Sequence, residues 1–407
     1  MRTTAFGKNL FNEGYSGILP SVAHLSEGDN AAEARGREVE IVWHGHPVRA
    51  WVPTPLAAQH FDLSGRTVRL SEHALAAVRQ AGHRSARFGA VATLLLRSEG
   101  VASSHIEGVR APLAEVAAAE VGGTLSEPAT YVADNLGAVV GALGSPRRPL
   151  SEEHLHVWHR RLMESAGQLP DRMVGAYRTE LSWIGGSSPR DAGFVPPPPE
   201  YVSTLMADLV AFANDDSLDA ITQASVLHAQ FVSIHPYGDG NGRIGRVLMG
   251  WVLSHRLGIT VPPPVSTVMA HDPGGYLAGL TLFRMGRLDN WIEWMATALE
   301  RSSEVATDLM EGTEELRKEW RFRLAGVRSD SSTRQLLEEF IEQPVLSASV
   351  AADRMGLSVR AVQGALNTLA ERGIVERYRP ADKGRGRPTQ YWVARELVEL
   401  VAAPGGT

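Results

Sequence analysis

Cysteine is absent from this chain of 407 residues. Its absence excludes disulfide bonds, thiolate catalysis and cysteine metal sites. Long apolar runs are missing as well, because no stretch approaches the roughly 18 apolar residues that a membrane span requires. The segment from Met1 to Pro20 also lacks the apolar run of a signal peptide. We therefore expect no membrane span and take a cytoplasmic location as the default.

Net charge and composition narrow the class of protein further. The chain carries a formal net charge of −6, which does not suggest a surface built to coat nucleic acid. Hydrophobic residues make up 43% and charged residues 21%, as in ordinary soluble globular proteins. The length predicts two or three domains with ample material for a large core.

One short segment concentrates the residue types that chemistry needs. Residues 235–246 read His-Pro-Tyr-Gly-Asp-Gly-Asn-Gly-Arg-Ile-Gly-Arg. Apolar residues then recur at helical spacing, so a glycine-rich loop leads into an amphipathic helix; they are Ile244, Val247, Leu248, Trp251 and Val252. Free N–H groups and the positive end of the helix dipole favour an anion at that helix start, and the glycines let the backbone approach it.

The other residues of the segment suit a nucleotide phosphate. Arg243 and Arg246 lie on the first turns of the helix, where they can fork onto phosphate oxygens. Asp239 can hold Mg2+, which prefers oxygen ligands, and His235 can act as a general base near neutral pH. Singly, these residues have ordinary explanations, because a lone histidine is usually structural and helix arginines usually face water. The segment matches neither the P-loop nor the dinucleotide motif, so the joint pattern carries the weight.

The joint pattern resembles the signature of the Fic (filamentation induced by cAMP) family, His-x-Phe-x-Asp/Glu-Gly-Asn-Gly-Arg-x-x-Arg. Tyr237 replaces the usual Phe, and every other fixed position matches. The resemblance covers roughly residues 85–300. It implies an α-helical core, in a family whose members mostly transfer AMP from ATP to a hydroxyl side chain of a target protein. On this resemblance His235 would deprotonate a Ser, Thr or Tyr hydroxyl, which attacks the α-phosphorus and expels pyrophosphate.

The resemblance also implies a set of ATP-binding residues in the loop. Asp239 would hold Mg2+ on the phosphates, and the loop backbone with the Asn241 side chain would cradle the α-phosphate. Arg243 and Arg246 would neutralise the outer phosphates. The full set implied here is Asp239, Gly240, Asn241, Gly242, Arg243, Ile244, Gly245 and Arg246. Such a site suits transfer at phosphorus, which depends mostly on positioning and on charge stabilisation.

Residues 177–199 predict a β-hairpin. A strand-like start is followed by the turn sequence Gly-Gly-Ser-Ser-Pro, and four prolines then form an extended spacer. The segment resembles the Fic flap, whose strand edge holds a target segment by main-chain pairing, although without the loop signature an ordinary hairpin would be the simpler interpretation. The flap residues that would lie along the nucleotide are Ile184, Gly185, Gly186 and Ser187. Tyr276 and Leu277 fall where the family places part of the adenine pocket.

A second motif, Ser103-Ser-His-Ile-Glu107-Gly108, lies upstream of the loop. The segment from Ser85 to Gly108 predicts a helix with Gly108 as its C-cap, and Ser103 and Glu107 are four residues apart on one face. The motif resembles the inhibitory Ser/Thr-x-x-x-Glu-Gly/Asn motif of the Fic family. On that resemblance Glu107 would reach Arg246 and occupy the place that the ATP γ-phosphate needs. By itself, a Ser and a Glu at this spacing would usually have no function.

The whole chain predicts a mainly α protein with a Fic-type helical core, a small β-hairpin flap and a C-terminal winged helix-turn-helix domain. We place an N-terminal segment at 1–110, which includes the inhibitory helix at about 85–108, the catalytic core at 111–305 and the winged helix at 330–400. Apolar pieces at 41–43 and 50–52 are expected to pack on the next domain. Further helix starts are expected near Ser71, at Ser151 with Glu153 behind it, near Tyr201 and after Asp272-Pro273.

The C-terminal pattern predicts a helix-turn-helix followed by a hairpin. One helix contains residues 336–341, a second runs from Ser349 to Met355, and a third follows its cap, Ser358. Strands are expected at 376–379 and 390–393, on either side of a basic turn.

This C-terminal part is basic in an otherwise acidic protein. Between Arg354 and Arg395, nine Lys or Arg residues stand against three Asp or Glu residues. In a DNA-binding winged helix, contacts would come from Arg360 and Gln363 on the third helix and from Arg385 and Arg387 on the wing. A protein-interaction or dimerisation module is the alternative.

Three functions therefore compete. The leading one is a self-inhibited transferase of AMP from ATP, with Mg2+, to a hydroxyl of a target protein, which includes the chain itself as a target. The same site would also serve removal of AMP or transfer of another phosphate-containing group. The third is a nucleotide-sensing, DNA-binding regulator, and the intact set of loop residues argues against it. The sequence leaves open the target, the nucleotide preference, the releasing signal and the oligomeric state, with a homodimer among the alternatives.

Overall fold

The computed structural model describes residues 34–86, 89–122, 126–144, 149–165, 167, 169–380 and 389–402. Helices dominate these residues, which confirms the predicted mainly α class. The helices are α1 (Gly65–Ser85), α2 (Gly89–Ile106), α3 (Leu113–Glu120), α4 (Glu127–Leu143), α5 (Glu152–Leu162), α6 (Pro199–Ala213), α7 (Ala220–Ile234), α8 (Asn241–Leu257), α9 (Val265–His271), α10 (Pro273–Arg284), α11 (Leu288–Arg323), α12 (Ser332–Glu342), α13 (Ala348–Met355), α14 (Val359–Glu371) and α15 (Arg395–Ala402). The strands are β1 (Gly36–Trp43), β2 (His46–Pro53), β3 (Val345–Ser347), β4 (Glu376–Tyr378) and β5 (Tyr391–Val393). None of the described helices is both long and apolar enough to cross a bilayer.

A two-stranded antiparallel hairpin opens the described chain. β1 and β2 pair along their whole length, and left-handed backbone at His44-Gly45 closes the tight turn between them. The N–H of Trp51 donates to the carbonyl of Val195 at 2.8 Å, and the rings of Trp43 and Trp183 meet edge to face at 6.2 Å. The apolar pieces expected to pack on the next domain are therefore strands that cover the segment around Val195.

The main core surrounds two consecutive helices, α7 and α8. Asp219 caps α7 by accepting hydrogen bonds from the N–H groups of Ile221 and Thr222 at 3.0 Å, and every residue of α7 is buried. A helix buried all round packs against neighbours on every side. A Cβ on Gly245 would lie 3.2 Å from the Phe231 ring, so this glycine lets α8 approach α7 closely. The loop between the two helices is therefore fixed from both ends.

Two upstream helix boundaries differ from the prediction. α1 begins at Gly65 rather than near Ser71, because the Ser64 side chain caps its first turn. α1 also runs through Ser85, so the helix predicted from that residue starts only at Gly89, as α2.

The helices that lead to the site begin close to the predicted positions, with one unexpected cap. The N–H of Ser151 donates to Nδ1 of His154 at 3.1 Å, so His154, and not Glu153, completes the reciprocal cap of α5. α6 begins at Pro199 rather than Tyr201, because proline is accommodated in the first turn of a helix. α10 begins directly after Asp272, as predicted.

The C-terminal helices and strands follow the predicted order. α12, α13 and α14 precede β4 and β5, and β3 adds a strand to an antiparallel sheet of order β3-β5-β4. Ser358 caps α14 as predicted; Arg360 is exposed on that helix and Gln363 is half-buried. Arg385 and Arg387 of the predicted wing lie outside the described residues. The assignment to a winged helix, and its choice of DNA or protein partner, stay predictions.

One long helix joins the predicted catalytic core to the C-terminal part. α11 extends to Arg323 and so fills most of the interval 305–330 that separates the predicted core from the predicted C-terminal domain. Trp320 on α11 is fully buried, and its Nε1 donates to Oε2 of Glu396 on α15 at 2.6 Å. α2 and α3 also pack into the C-terminal core, with Val91, Leu94, Leu95, Leu113, Ala114 and Ala117. The C-terminal part is therefore packed directly onto the helix that carries Ser103.

Candidate active site

His235 lies where the buried helix α7 ends. It is the C-cap of α7 and has a left-handed backbone, with a φ of 52°, which is uncommon for a residue other than glycine. The residue is half-buried, and Nδ1 of its ring has no hydrogen-bond partner among the described residues. Burial, together with the positive charge of Arg178, lowers the pKa of His235 to about 4. The imidazole is therefore neutral at pH 7 and able to accept a proton.

Asn241 closes the loop that follows His235. Its side-chain oxygen accepts from the N–H of Tyr237 at 2.8 Å, and its side-chain nitrogen donates to the carbonyl of Tyr237 at 2.9 Å. Both polar groups of this side chain are thus engaged in shaping the loop, whereas the resemblance implies a contact with the α-phosphate. The N–H groups at the start of α8 are the donors best placed to take that part.

Tyr237 anchors the loop to α5. Its side chain is completely buried and stacks on the ring of His159, with centroids 4.0 Å apart and planes inclined by 8°. Its hydroxyl lies 3.1 Å from Nδ1 of His156. Nδ1 of His159 accepts from the N–H of Gly175 at 2.8 Å, so its Nε2 carries the proton and donates to the carbonyl of Asp239 at 3.2 Å. Burial lowers the pKa of His159 to about 4, which preserves this neutral tautomer.

The start of α8 offers an anion site with unused donors. Gly240 precedes the helix with a φ of 75°, and a helix start leaves its first N–H groups without partners inside the helix. Arg243 and Arg246 are both buried, and neither Nε of Arg243 nor Nη1 of Arg246 has a hydrogen-bond partner among the described residues. Since buried donors are normally satisfied, the arrangement fits a phosphate or a carboxylate bound at this helix start.

Asp239 lies at the rim of the anion site. Its side chain is 41% exposed, and its Oδ1 accepts from the N–H of Gly240 at 2.6 Å and lies 3.5 Å from Arg243. A partly exposed carboxylate beside a phosphate site is a suitable ligand for Mg2+, which commonly combines one or two carboxylates with substrate phosphates. The described residues contain no cluster of three metal-binding side chains, so a metal here would take its further ligands from substrate and water.

An internal carboxylate occupies the anion site. Nη2 of Arg246 donates to Oε1 of Glu107 at 2.7 Å and to the carbonyl of Ser103 at 2.8 Å, while Nε donates to the Ser103 hydroxyl at 2.9 Å. A Cβ on Gly242 would overlap the Glu107 carboxylate, so that carboxylate lies directly against the start of α8. Burial alone would raise the pKa of Glu107, but Arg246 and Arg243 hold it below the usual range. Glu107 is therefore an anion at neutral pH.

Comparison with known proteins places this geometry in a family. Residues 149–253 match the model of the Fic/DOC family. Protein adenylyltransferase fic-1 of Caenorhabditis briggsae is 31% identical over 163 residues, which are 38% of this chain and 29% of that protein. The chain contains a Fic domain at these residues.

Two further comparisons define the extent of the likeness. The uridine 5'-monophosphate transferase of Xanthomonas campestris is 35% identical over 91 residues, which are 20% of this chain and 17% of that protein. The crystal structure of a Fic family protein from Desulfovibrio desulfuricans matches with a TM-score of 0.51 and 22% identity, over 82% of this chain and 97% of that chain. The chain thus spans less than a third of the length of these curated relatives, whereas its fold resembles the solved structure over most of its length.

The predicted flap of this Fic protein contains a single β-bridge rather than a regular hairpin. Ile184 donates to the carbonyl of Phe194 at 2.8 Å and accepts from its N–H at 3.2 Å. The chain then turns at Gly185-Gly186, both with a φ of 71°, so the strand pairing does not continue. The N–H and hydroxyl of Ser187 bind Asp191 at 2.9 and 3.0 Å. No hydrogen bond in the described part of the chain joins residues 184–187 to the 235–246 loop.

The two residues expected at the adenine pocket lie in different surroundings. Tyr276 is 4% exposed, and its hydroxyl lies 2.9 Å from Nε2 of the buried His228. Burial raises the pKa of Tyr276 to about 12, so the hydroxyl stays protonated. Leu277, in contrast, is 44% exposed. Contact of either residue with a nucleotide stays a prediction.

Arg178 is a site residue that the sequence does not single out. It is 3% exposed, and its Nε donates to the carbonyl of His235 at 2.7 Å. Its Nη1 and Nη2 donate to the carbonyls of Glu180 and Pro197 at 3.0 and 2.5 Å, and its own N–H donates to the carbonyl of Pro236 at 2.9 Å. Arg178 thus joins the 235–246 loop to both ends of the flap. Its partners are backbone groups far away in sequence, so no local pattern marks it.

We expect the buried aromatic ring at position 237 to be a main determinant of loop stability. Tyr237→Ala should lower the free energy of unfolding by about 3–5 kcal/mol, because it removes a fully buried ring, whereas Tyr237→Phe should cost only about 1 kcal/mol for the lost hydrogen bond to His156. Urea unfolding followed by tryptophan fluorescence measures both. Phe322→Ala, which truncates an aromatic side chain at a position 80% exposed, is the control and should change stability by less than about 0.5 kcal/mol. Equal losses for the alanine and phenylalanine variants at position 237 would contradict the anchoring role.

Stability should also fall as the solution is acidified below pH 6.5. Burial lowers the pKa of His159 and of His228 to about 4. Between pH 6.5 and pH 4 these histidines are therefore protonated in the unfolded chain but neutral in the folded chain, which favours unfolding. Each of these fully buried histidines should remove on the order of 1–3 kcal/mol across that window. Urea unfolding at pH 7.5 and pH 5 measures the loss, and His228→Gln should reduce it. A loss that His228→Gln leaves unchanged would contradict this origin.

Proposed function

We propose that this Fic protein transfers AMP from ATP to a Ser, Thr or Tyr hydroxyl of a target protein and is auto-inhibited by Glu107. The observation that carries the proposal is the 2.7 Å ion pair between Glu107 and Arg246 at the start of α8. A helix start with two buried arginines suits a phosphate, and an internal carboxylate takes that place. When Glu107 withdraws, the same donors become available to the phosphates of ATP.

The names of the relatives support transfer of a nucleoside monophosphate. Two of them are protein adenylyltransferases and one is a uridine 5'-monophosphate transferase. These names agree on the group that moves and differ in the base. We propose ATP as the nucleotide because the adenylyltransferases match over the longer segments.

In the proposed reaction His235 is the general base. The target hydroxyl oxygen forms a bond to the α-phosphorus, the bond from that phosphorus to the bridging oxygen breaks, and pyrophosphate leaves. His235 takes the proton of the hydroxyl, which its neutral imidazole can accept at pH 7. Because the nucleophile and the phosphate are held side by side, positioning and charge supply most of the acceleration.

The loop residues bind the phosphates in this scheme. The N–H groups of Asn241 and Gly242 face the α-phosphate, while Arg243 and Arg246 bind the outer phosphates. Gly240, Ile244 and Gly245 shape the backbone that presents these donors. Asp239 would hold Mg2+, which supplies positive charge to the phosphate oxygens when it is bound.

The flap would hold the target segment by main-chain pairing. Ile184 already uses its N–H and carbonyl on Phe194, so strand alternation leaves the backbone groups of Trp183, before the turn, to pair with a target strand at the opposite edge. Gly186 and Ser187 would border the nucleotide, and Tyr276 and Leu277 the adenine.

The test compares wild type, Glu107→Gly and the double variant Glu107→Gly with His235→Ala. Each is incubated with Mg2+, a cell lysate and one of the α-32P-labelled nucleotides ATP, GTP, CTP or UTP, and the proteins are separated on a gel. We expect Glu107→Gly to label protein from ATP at least about tenfold more than wild type, and the second substitution to abolish the label. His105→Gly is the matched control, because it places a glycine at the same helix end and keeps the carboxylate.

The outcomes separate the competing functions. Label from UTP and not from ATP would retain the transferase and change the nucleotide. Label that survives His235→Ala would contradict the role of the histidine. An increase with His105→Gly equal to that with Glu107→Gly would mean that a loosened helix, rather than the lost carboxylate, relieves the inhibition. No label with any nucleotide from Glu107→Gly would contradict the proposal and favour removal of a modification.

A further inference from the structure

Arg178 binds the C-terminal end of α7 and so helps to fix the backbone of His235, the proposed general base. Its Nε donates to the carbonyl of His235 at 2.7 Å and its Nη2 to the carbonyl of Ile234 at 3.3 Å. These carbonyls are at the negative end of a helix dipole, where a positive charge is favoured. The left-handed backbone of His235 is unfavourable for a residue with a Cβ, so a hydrogen bond to its carbonyl stabilises a conformation that the chain would otherwise avoid.

The same guanidinium holds the two ends of the flap. Nη1 donates to Glu180, which enters the flap, and Nη2 donates to Pro197, which leaves it. A rigid, planar group with four backbone carbonyls as partners fixes the distance between the flap and the end of α7. Arg178 is almost fully buried, so water does not compete for these bonds.

We propose that Arg178 is a positioning residue for the transfer reaction: it holds His235 at the place where the flap presents the target hydroxyl. The proposal rests on the proposed function, because the flap and the base meet only in that reaction. The guanidinium of Arg178 donates to backbone carbonyls of the chain, so its loss should affect the chemical step and leave nucleotide binding largely intact.

The test uses the Glu107→Gly background, with Arg178→Met and Arg178→Lys added separately. Arg178→Met should lower kcat at least about tenfold with the KM for ATP changed less than about threefold, because small displacements of a reacting group are costly. Arg178→Lys should restore part of kcat. Arg172→Met is the control, since Arg172 lies six residues earlier in an exposed ion pair with Glu180 and should change neither constant.

A histidine titration gives a readout that does not need activity. Arg178 and Glu107 are the charged side chains that act on His235 within the described residues, and Glu107 is absent from this background. NMR of labelled histidine should therefore show a higher His235 midpoint when Arg178 becomes Met than in the Glu107→Gly protein that keeps Arg178. An unchanged midpoint with unchanged kcat would overturn the proposal. So would parallel losses of kcat and ATP affinity, which would mean that Arg178 supports the fold only.

α2 is held at its middle by the C-terminal part of the chain, which comprises α12 to α15 and strands β3 to β5. Arg97 on α2 is 2% exposed; its Nε donates to Glu120 of α3 at 2.7 Å, and its two terminal nitrogens donate to the Glu342 carbonyl and to Oε1 of Gln343. Nε2 of Gln343 in turn donates to the carbonyl of Ala117 at 2.6 Å. Three of these hydrogen bonds tie α2 and α3 to the junction of α12 and β3, and the bond from Arg97 to Glu120 joins α2 to α3.

The residues that bind Arg246 lie at the C-terminal end of α2. Ser103 lies on the last turn of α2, and Glu107 is the first residue after the helix. From Arg97 to Glu107 the chain advances roughly 15 Å along the helix axis. Because one continuous helix joins the two positions, we expect a displacement at Arg97 to be transmitted to Glu107.

We infer that the C-terminal part clamps α2 and thereby keeps Glu107 in the anion site. This inference rests on the proposed function, since release of the clamp is read out as transfer. The C-terminal part would have this role whether it binds DNA or protein. Any event that shifts the junction of α12 and β3 would withdraw the Glu107 carboxylate from the anion site.

A cycle of variants separates the clamp from general damage. Arg97→Met and Gln343→Leu are each made in wild type and in Glu107→Gly, with Arg84→Met, which breaks a surface ion pair with Glu311 on α11, as the matched control. With Glu107 present, each clamp variant should raise labelling from ATP at least about fivefold, a coupling of the usual size between sites. With Glu107→Gly the same variants should change labelling less than about twofold, because the carboxylate that the clamp controls is gone.

Hydrogen exchange supplies a second readout in the full chain. Arg97→Met should speed exchange of the α2 amides while those of α7 stay protected. Clamp variants without effect in wild type, beside an active Glu107→Gly protein, would overturn the clamp and leave the transferase in place. Equal losses of labelling in both backgrounds would also overturn it, because Arg97 would then support the whole fold. Faster exchange of the α2 amides with Arg84→Met would contradict the clamp, because α2 would then be loosened by the loss of a bond that is not part of it.

Discussion

A single buried charge, the guanidinium of Arg246, sets the conditions for the rest of the site. Its side chain is 1% exposed, and a charge removed from water is costly unless it is paired and hydrogen-bonded. Ser103 and Glu107 satisfy two of its nitrogens, and the third has no partner within the described residues. A state in which Glu107 withdraws must therefore supply another anion. Under the proposed function, inhibition and nucleotide binding are two solutions to the same electrostatic requirement.

The placement of α2 decides which anion pairs with Arg246 in the chain without ligand. One side of the helix faces the catalytic core, where Asn135 donates to Gly100 and Ser104, and Glu99 accepts from Ser266. The other side contributes to the C-terminal core, with Arg97 at the centre of its polar contacts. Withdrawal of Glu107 would thus disturb two packed interfaces at once. The paired state of Arg246 is favoured by the whole fold, and not by the ion pair alone.

The sequence predicted the parts of the site that depend on local periodicity. The loop before α8 and the helix that carries Ser103 follow from spacing along the chain, whereas the reach of Glu107 to Arg246, 139 residues away, was implied only by the family resemblance. The contributions of Arg178 and His159 were missed, because their partners are backbone carbonyls 57 and 80 residues away. The flap was overpredicted as a hairpin, since strand-like residues stop pairing where left-handed glycines turn the chain. Tertiary contacts to backbone leave no pattern that a single sequence displays.

The departure from the family signature at Tyr237 has a physical explanation in a neighbouring helix. A hydroxyl buried in place of a phenylalanine hydrogen is destabilising unless it finds a partner. Nδ1 of His156 lies 3.1 Å away, and burial lowers the pKa of that histidine, so the imidazole is neutral at pH 7 and its ring nitrogen is available to the hydroxyl. The ring itself keeps the aromatic stacking on His159 that fixes the loop. A tyrosine therefore serves as the anchor here because α5 supplies its polar partner, and the same substitution in a chain without a partner at the position of His156 would weaken the loop.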